Sequence, residues 1–225
     1  MDGILLLDKP RGWTSHDAVD FLRRRLGQKK IGHAGTLDPL ATGLLVMLLG
    51  AATKSSDKLM GLDKDYRGTI RLGTVTETWD LEGRVLSEVL VPAFTRETLE
   101  QVFESFRGEQ TITPPVFSAI KTRGKRHYQL ARRGILTAPP ERQVLIEDFR
   151  VEDFVNPEIS FFVRCSKGTY IRSLAHHVGE KLGCGACLSS LIRTRIGAFH
   201  LEDALNLRQL QSFSPQELQT HLKTP

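Results

Sequence analysis

At 225 residues with 40% apolar content, the chain can bury a substantial core, and it fits one elaborate domain, or one domain with a short appendage, rather than two large independent ones. Charged residues make up 25% and both signs are interspersed, which excludes extensive disorder. A net charge of +5 is modest for a nucleic-acid binder, so the placement of the positive residues matters more than their total.

Ile4 to Leu7 is flanked by Asp2 and Asp8, too short and too acidic for a secretory signal, and the longest apolar stretch, Leu44 to Leu49, falls far below a membrane span. A cytoplasmic protein without membrane contact is expected. Cys165, Cys184 and Cys187 are an odd, small set that reads as free thiols in a reducing compartment. Gly3 to Leu7 is predicted to be a short buried strand, followed by a turn at Lys9, Pro10, Arg11 and Gly12. Thr14 or Ser15 can then cap a helix that carries Arg23, Arg24 and Arg25 and ends near Gly27. Lys29 to Pro39 is glycine-rich and is predicted to be a loop, with Pro39 biasing Asp38 away from the α region. Gly43 to Gly50 is a nearly continuous apolar strand expected to be central, so a polar loop is pinned to a rigid strand.

Tyr66, Gly68, Ile70 and Leu72 alternate onto one face of a strand, with Val85 and Leu86 expected in its hairpin partner beyond Glu82 and Gly83. Leu99, Val102, Phe103 and Phe106 follow helical spacing that stops before Gly108. Ser118 to Pro140 holds Lys121, Arg123, Lys125, Arg126, Arg132 and Arg133 and no acidic residue. Ser160 to Cys165 is strand-like and Ser166 to Thr169 a turn, after which Ile171, Leu174, Ala175, Val178 and Leu182 form one helical face ending at Gly183. Ser214, Pro215 and Glu217 supply a capping-box start for a last short helix. Strands and helices mix without strict βαβ alternation, which predicts an α+β fold with a mixed, largely antiparallel sheet.

An aspartate in a Gly/Pro loop anchored on a core strand can be a catalytic carboxylate, although such a residue more often serves a turn by accepting backbone hydrogen bonds. The run Gly32-His33-Ala34-Gly35-Thr36-Leu37-Asp38-Pro39-Leu40-Ala41-Thr42-Gly43-Leu44-Leu45 resembles the signature of the bacterial TruB-type tRNA pseudouridine-55 synthases. Lys9-Pro10 with Gly12 and Thr14-Ser15, Lys64-Asp65-Tyr66, Pro114-Pro115 to Ser118-Ala119, and Ser166 through Leu174 match the same family in order, so the resemblance reaches to about Phe199.

The resemblance implies a pseudouridine synthase fold over residues 1–199, with an inserted RNA-binding segment at about 107–145 and a short tail at 200–225 in place of most of the family's C-terminal, often PUA-type, domain. It implies isomerisation of uridine to pseudouridine at position 55 in the T loop of tRNA, by a monomer that needs no cofactor and no metal. Asp38 is then the nucleophile, attacking either the ribose C1′ or the uracil C6. Arg172 is the expected counter-charge that keeps this carboxylate ionised. Tyr66 is expected to stack on the flipped uracil and relay a proton, Tyr170 to bracket the base, and Leu191 to floor the pocket. His33 suits a wedge that fills the space the base leaves, since base–aromatic stacking is worth about 1–3 kcal/mol. Lys9 and the basic run Lys121, Arg123, Lys125, Arg126, Arg132 and Arg133 are assigned to RNA, the run to phosphates of the T arm, and Arg23 to Lys30, Arg193 and Arg195 are expected to extend that surface.

Thr76-Glu77-Thr78-Trp79-Asp80 departs from the family's double-aspartate form; Asp80 remains and is given no catalytic role. Cys184-Gly185-Ala186-Cys187 is read as a small-residue turn rather than a metal or redox site, because a single CxxC without a second pair is a weak signal. Two rival functions remain distinguishable, a non-catalytic tRNA-binding or tRNA-folding chaperone and a zinc or thiol-redox protein.

Overall fold

A computed structural model describes residues 1–117, 121–122, 125–126 and 139–224. By its contacts the chain divides into two compact units, residues 1–67 with 191–225 and residues 68–190. Strand β4 (Lys64–Leu72) and strand β12 (Ala186–Ile196) each contribute residues to both.

The first unit is built on β3 (Thr42–Leu49), whose residues from Gly43 onward are all buried, as expected of a central strand. Strand β1 (Gly3–Lys9) pairs antiparallel along its whole length, from Gly3 opposite Leu49 to Lys9 opposite Gly43. On the other edge, β2 (Ile31–Ala34) pairs antiparallel with the second half of β3, and β12 pairs parallel with its start, Ile192 opposite Thr42 and Arg193 opposite Gly43. The predicted loop from Lys29 to Pro39 is therefore half strand: Ile31 and Ala34 are buried against β3, and burial outweighs the weak strand propensity of the intervening glycine. Ile4, Leu6, Leu44, Val46, Leu48 and Ile196 pack into the core of this unit with Leu59 of the short helix α2 (Ser56–Met60).

Helix α1 (Ser15–Leu26) starts as predicted, with a capping box between Thr14 and Asp17, and Gly27 ends it in the left-handed region at φ 59°. The last residues return to β1: after β13 (Phe199–His200) and a 3₁₀ turn at Leu201–Asp203, Leu205 exchanges backbone hydrogen bonds of 2.9 Å with Leu6 and Asp8. Lys223 and Ile4 exchange a further pair at 2.8 Å. Helices spanning Leu207–Ser212 and Pro215–Thr220, the second opened by the predicted Ser214 capping box, bury Leu210 and Leu218. Backbone groups of β1 that would otherwise lie open are thereby satisfied.

In the second unit the strand order is β4, β11 (Glu158–Cys165), β10 (Arg142–Val155) and β7 (Gly108–Ile112). Helix α3 (Arg96–Glu104) packs Phe103 on Phe149 at a ring-centroid distance of 4.2 Å, and Phe161 meets Phe149 edge-on at 5.6 Å. Helix α4 (Ile171–Lys181) follows the turn after β11 as predicted. The expected hairpin between β4 and Val85 does not form: β4 ends at Leu72, Gly73 turns the chain, and β6 (Val85–Glu88) pairs instead with the separate strand β5 (Thr74–Thr76). Arg142 of β10 stands opposite Ile112 of β7, so the two ends of the expected inserted segment are neighbours in one sheet. Within it Lys121–Thr122 (β8) pairs antiparallel with Lys125–Arg126 (β9); Arg123, Arg132 and Arg133 lie outside the described residues. Among the described residues β3 pairs antiparallel with β1 and β2, β10 with β7 and β11, and β12 with β13, while β3 and β12 pair parallel, which gives the expected mixed, largely antiparallel α+β fold.

The β3–β12 contact allows no side chain at residue 43. Gly43 sits at φ 93°, and a Cβ there would lie 2.5 Å from the Arg193 carbonyl oxygen and 2.9 Å from its nitrogen. Gly43→Ala is expected to lower the urea midpoint by the equivalent of at least roughly 1–3 kcal/mol, the strain of the backbone alone; an unchanged midpoint would show that the two strands separate freely.

Candidate active site

The loop between Ala34 and Thr42 carries the predicted nucleophile, and its backbone is fixed on both sides of that residue. Ser15, 2% exposed at the first turn of α1, accepts from the Leu37 N–H at 2.8 Å and donates to the Leu37 carbonyl at 3.2 Å. The Gly12 N–H donates to the Pro39 carbonyl at 2.9 Å, and the Ala41 N–H to the Asp38 carbonyl at 3.1 Å. Leu37 and Leu40 are buried as anchors on either side, which leaves Asp38 itself half-exposed on a loop with little freedom. Such pre-positioning is what a carboxylate needs in order to attack a single atom.

Tyr66 lies on β4, 7% exposed, and Leu191 on β12, 8% exposed. Both belong with Asp38 to the first unit. His33 is on β2 and half-buried, and its Nδ1 is buried with no hydrogen-bond partner among the described residues. Burial first, and the nearby Arg193 cation second, push its pKa down to about 4, so the imidazole is neutral at physiological pH. A neutral ring suits the expected wedge role better than it suits a phosphate contact.

Two predicted RNA contacts are placed otherwise. Lys9 is the last residue of β1 and 0% exposed; its ammonium donates to the Pro10 and Trp13 carbonyls at 3.0 and 2.6 Å and fastens the turn into α1. Arg193, expected on the RNA-facing surface, is 1% exposed, with Nε donating to the Leu44 carbonyl at 2.8 Å and Nη2 to the Gly35 carbonyl at 2.9 Å. The neighbouring Arg195 pairs with buried Asp65 at 2.8 Å. Arg193 and Arg195 fall on the same face of β12, and nothing in the local sequence distinguishes the buried arginine from its partly exposed neighbour.

Arg172 and Tyr170 lie in the second unit. Tyr170 is half-buried and immediately precedes α4. Arg172, 5% exposed, donates to the Thr78 carbonyl at 2.9 Å and to the Phe117 carbonyl at 3.0 Å, and its Nε stands 3.6 Å from the carboxylate of Asp80. Asp80 is itself 4% exposed and accepts from the Glu82 N–H at 3.1 Å and from the Thr78 hydroxyl at 2.5 Å. The aspartate given no role thus orients the arginine given one. Trp79, at φ 62°, stacks on His176 of α4 with ring centroids 4.3 Å apart, which clamps the Thr76–Asp80 segment onto the helix that carries Arg172. Cys187 lies in β12 rather than in a turn, fully buried, with its thiol pushed up to about 12 chiefly by burial, so it is inert as a thiolate at neutral pH.

A family model described as TruB family pseudouridylate synthase (N terminal domain) matches residues 23–171, and one described as tRNA pseudouridylate synthase B C-terminal domain matches residues 172–223. The chain belongs to the TruB family of pseudouridylate synthases. Family members are isomerases. The tRNA pseudouridine synthase B of Opitutus terrae is 46% identical over 222 residues, 99% of this chain and 92% of that protein. That of Protochlamydia amoebophila is 48% identical over 221 residues, 96% of this chain and 82% of that protein. Among solved structures, a Cbf5-Nop10-Gar1 complex superposes with a TM-score of 0.77 at 28% identity, covering 99% of this chain and 60% of its counterpart. An H/ACA RNP bound to a substrate RNA containing 2′-deoxyuridine superposes with a TM-score of 0.69 at 29% identity, covering 92% of this chain and 51% of its counterpart. The chain therefore spans between half and three fifths of those two counterparts, and the pseudouridine synthase fold is shared over nearly all of it. No helix among the described residues is long and apolar enough to cross a membrane.

The depressed His33 pKa has a measurable consequence. Between about pH 6.5 and 4 the unfolded chain takes up a proton at residue 33 that the folded chain refuses, so folding stability falls as pH falls through that window; above it the residue contributes no pH dependence. An NMR titration, with the resonance assigned through His33→Gln, is expected to place the His33 midpoint near 4. An ordinary midpoint near 6.5 would mean that the ring is open to solvent.

Proposed function

We propose that this TruB-family chain isomerises uridine to pseudouridine in tRNA, at position 55 of the T loop, with Asp38 as the nucleophile. The tRNA substrate follows from the names of the relatives at 46% and 48% identity. The observation that carries the catalytic assignment is the half-exposed Asp38 on a loop whose backbone is held on both sides, at Leu37 by Ser15, at Pro39 by Gly12 and at the Asp38 carbonyl by Ala41.

The reaction leaves the composition of the nucleotide unchanged. Attack by Asp38 on C1′ displaces N1, or its addition to C6 permits the C1′–N1 bond to break; the detached uracil turns in place; a C1′–C5 bond forms and the bond to Asp38 breaks, which returns the carboxylate; the proton on C5 departs and N1 finishes protonated. The protein has to supply a nucleophile, confinement and a proton path. Tyr66, nearly buried beside the loop, stacks on the extruded ring and takes part in moving the C5 proton, while Leu191 supplies an apolar surface for the base. His33 enters the RNA stack as a neutral wedge, offsetting the few kcal/mol that extrusion of a base costs. Arg172, already oriented by Thr78, Phe117 and Asp80, is the cation assigned to charge balance in the reaction, and Tyr170 is assigned to bracketing the base. Lys121, Arg123, Lys125, Arg126, Arg132 and Arg133 are assigned to phosphates of the T arm.

The test is tritium release from a T-arm stem-loop carrying 5-tritiated uridine. Asp38→Asn is expected to lower the rate by roughly 10⁴-fold or more while leaving RNA affinity intact. Turnover at the wild-type rate in that variant would overturn the assignment and favour a chaperone that binds tRNA without chemistry.

A further inference from the structure

Trp79 sits where an aromatic residue is strained. Its φ of 62° lies in the left-handed region, which glycine and asparagine adopt readily and a bulky side chain rarely adopts at all. A residue kept for the turn alone would be one of the small ones, so the ring itself has a use. It lies face to face with the His176 imidazole, with centroids 4.3 Å apart and planes 7° apart, and His177 is tilted beside it at 6.3 Å. Burial lowers the His176 pKa below the ordinary histidine value, so at neutral pH the ring that meets the indole is uncharged.

The chain neighbours of Trp79 show what the stack holds. Thr78 offers its carbonyl to Arg172 at 2.9 Å, and the Asp80 carboxylate stands 3.6 Å from the Arg172 Nε. Two of the groups that direct this guanidinium thus come from the residues on either side of the strained one. Arg172 and His176 are four residues apart on α4 and share one face, so the Thr78–Asp80 turn meets the helix at two successive turns, through the guanidinium and through the ring. On its other side the turn is pinned by backbone: the Leu188 N–H donates to the Trp79 carbonyl at 2.9 Å, and the Leu81 N–H to the Leu188 carbonyl at 3.1 Å. Without the stack the turn keeps its tie to β12 but is held to α4 by Arg172 alone, which leaves Thr78 and Asp80 free to shift.

We propose that Trp79 and His176 are positioning residues of the reaction: their stacked rings hold the Thr78–Asp80 turn against α4 and so set the direction of the Arg172 guanidinium, through which they act on turnover. The proposal rests on the assignment of Arg172 to charge balance given above. A guanidinium on a long stem points where its acceptors direct it, and a misplacement of about 1 Å at a reaction centre can cost about 10²-fold in rate. His176 serves here as a flat, neutral surface, not as an acid or base.

Single-turnover tritium release from the same stem-loop, on the full chain and with RNA affinity measured separately, tests this. His176→Ala removes one ring without touching the backbone at residue 79, and alanine suits a helix; it is expected to slow turnover by roughly 10-fold with less than about a threefold change in affinity. His176→Phe keeps a flat, neutral ring and is expected to bring the rate back to within about threefold of wild type. In an Arg172→Gln background His176→Ala is expected to cost less than about twofold more, because residues acting as a unit are not additive. A wild-type rate in His176→Ala, no recovery in His176→Phe, or equal losses in both backgrounds would overturn the proposal. Trp79→Asn, which accepts the left-handed backbone, repeats the test from the other ring, and failure of both His176→Ala and Trp79→Asn to fold would make the stack a structural fastening and overturn the proposal as well. Wild-type turnover in Arg172→Gln itself would instead defeat the charge-balance reading of that residue, so the two failures are distinct.

Discussion

The close approach of β12 to the start of β3 is the constraint on which the first unit depends. It requires Gly43, since any side chain there would run into the Arg193 backbone, and it delivers the Arg193 side chain beneath the Asp38 loop. Once there, the guanidinium must satisfy its donors internally or the desolvation cost stands. The carbonyls of Leu44 and Gly35 accept from its Nε and Nη2, which ties the strand entry and the loop exit to one rigid group. Ser15 completes the work from the helix side by holding both polar groups of Leu37. The position of Asp38 is thus decided by a strand, a helix start and a glycine, none of which is chemically reactive.

The second unit uses a different device for its own buried cation. Arg172 is oriented by two carbonyls and by the carboxylate of Asp80, and Asp80 is in turn held by Thr78 and the Glu82 backbone. The left-handed backbone at Trp79 is strained for an aromatic residue, and the stack on His176 together with the hydrogen bond from the Leu188 N–H to the Trp79 carbonyl holds it in place. Substitution of the family's first aspartate by Glu77 leaves this arrangement intact, because the buried contacts run through Thr76, Thr78 and Asp80.

Much of this was legible in the sequence, in proportion to how local each signal is. Capping chemistry placed the starts of α1 and the last helix, and apolar continuity placed β3 at the centre. The signature around Asp38 named the loop, and the comparisons agree on the family. What was not legible depends on partners distant in sequence. Ile31–Ala34 looked like loop because glycine and histidine interrupt it, and only pairing with β3 makes it a strand. Val85 looked like the partner of β4, but the turn at Gly73 redirects the chain. Lys9 and Arg193 were read as surface charges because charge predicts exposure on average, and their burial follows from carbonyls supplied by the turn after β1 and by the loop and strand entry. Asp80 was passed over for the same reason, its partner being 92 residues away.

The proposed chemistry requires a carboxylate fixed by these contacts to meet the sugar or ring of an extruded uridine. The most direct measurement is an experimental structure of the chain bound to a T-arm stem-loop whose target uridine is blocked from completing the reaction. The expected result is a uridine out of its stack, beside Tyr66, with C1′ or C6 within about 3.5 Å of an Asp38 oxygen. A target base that remains stacked in the loop, or one extruded away from Asp38, would contradict it.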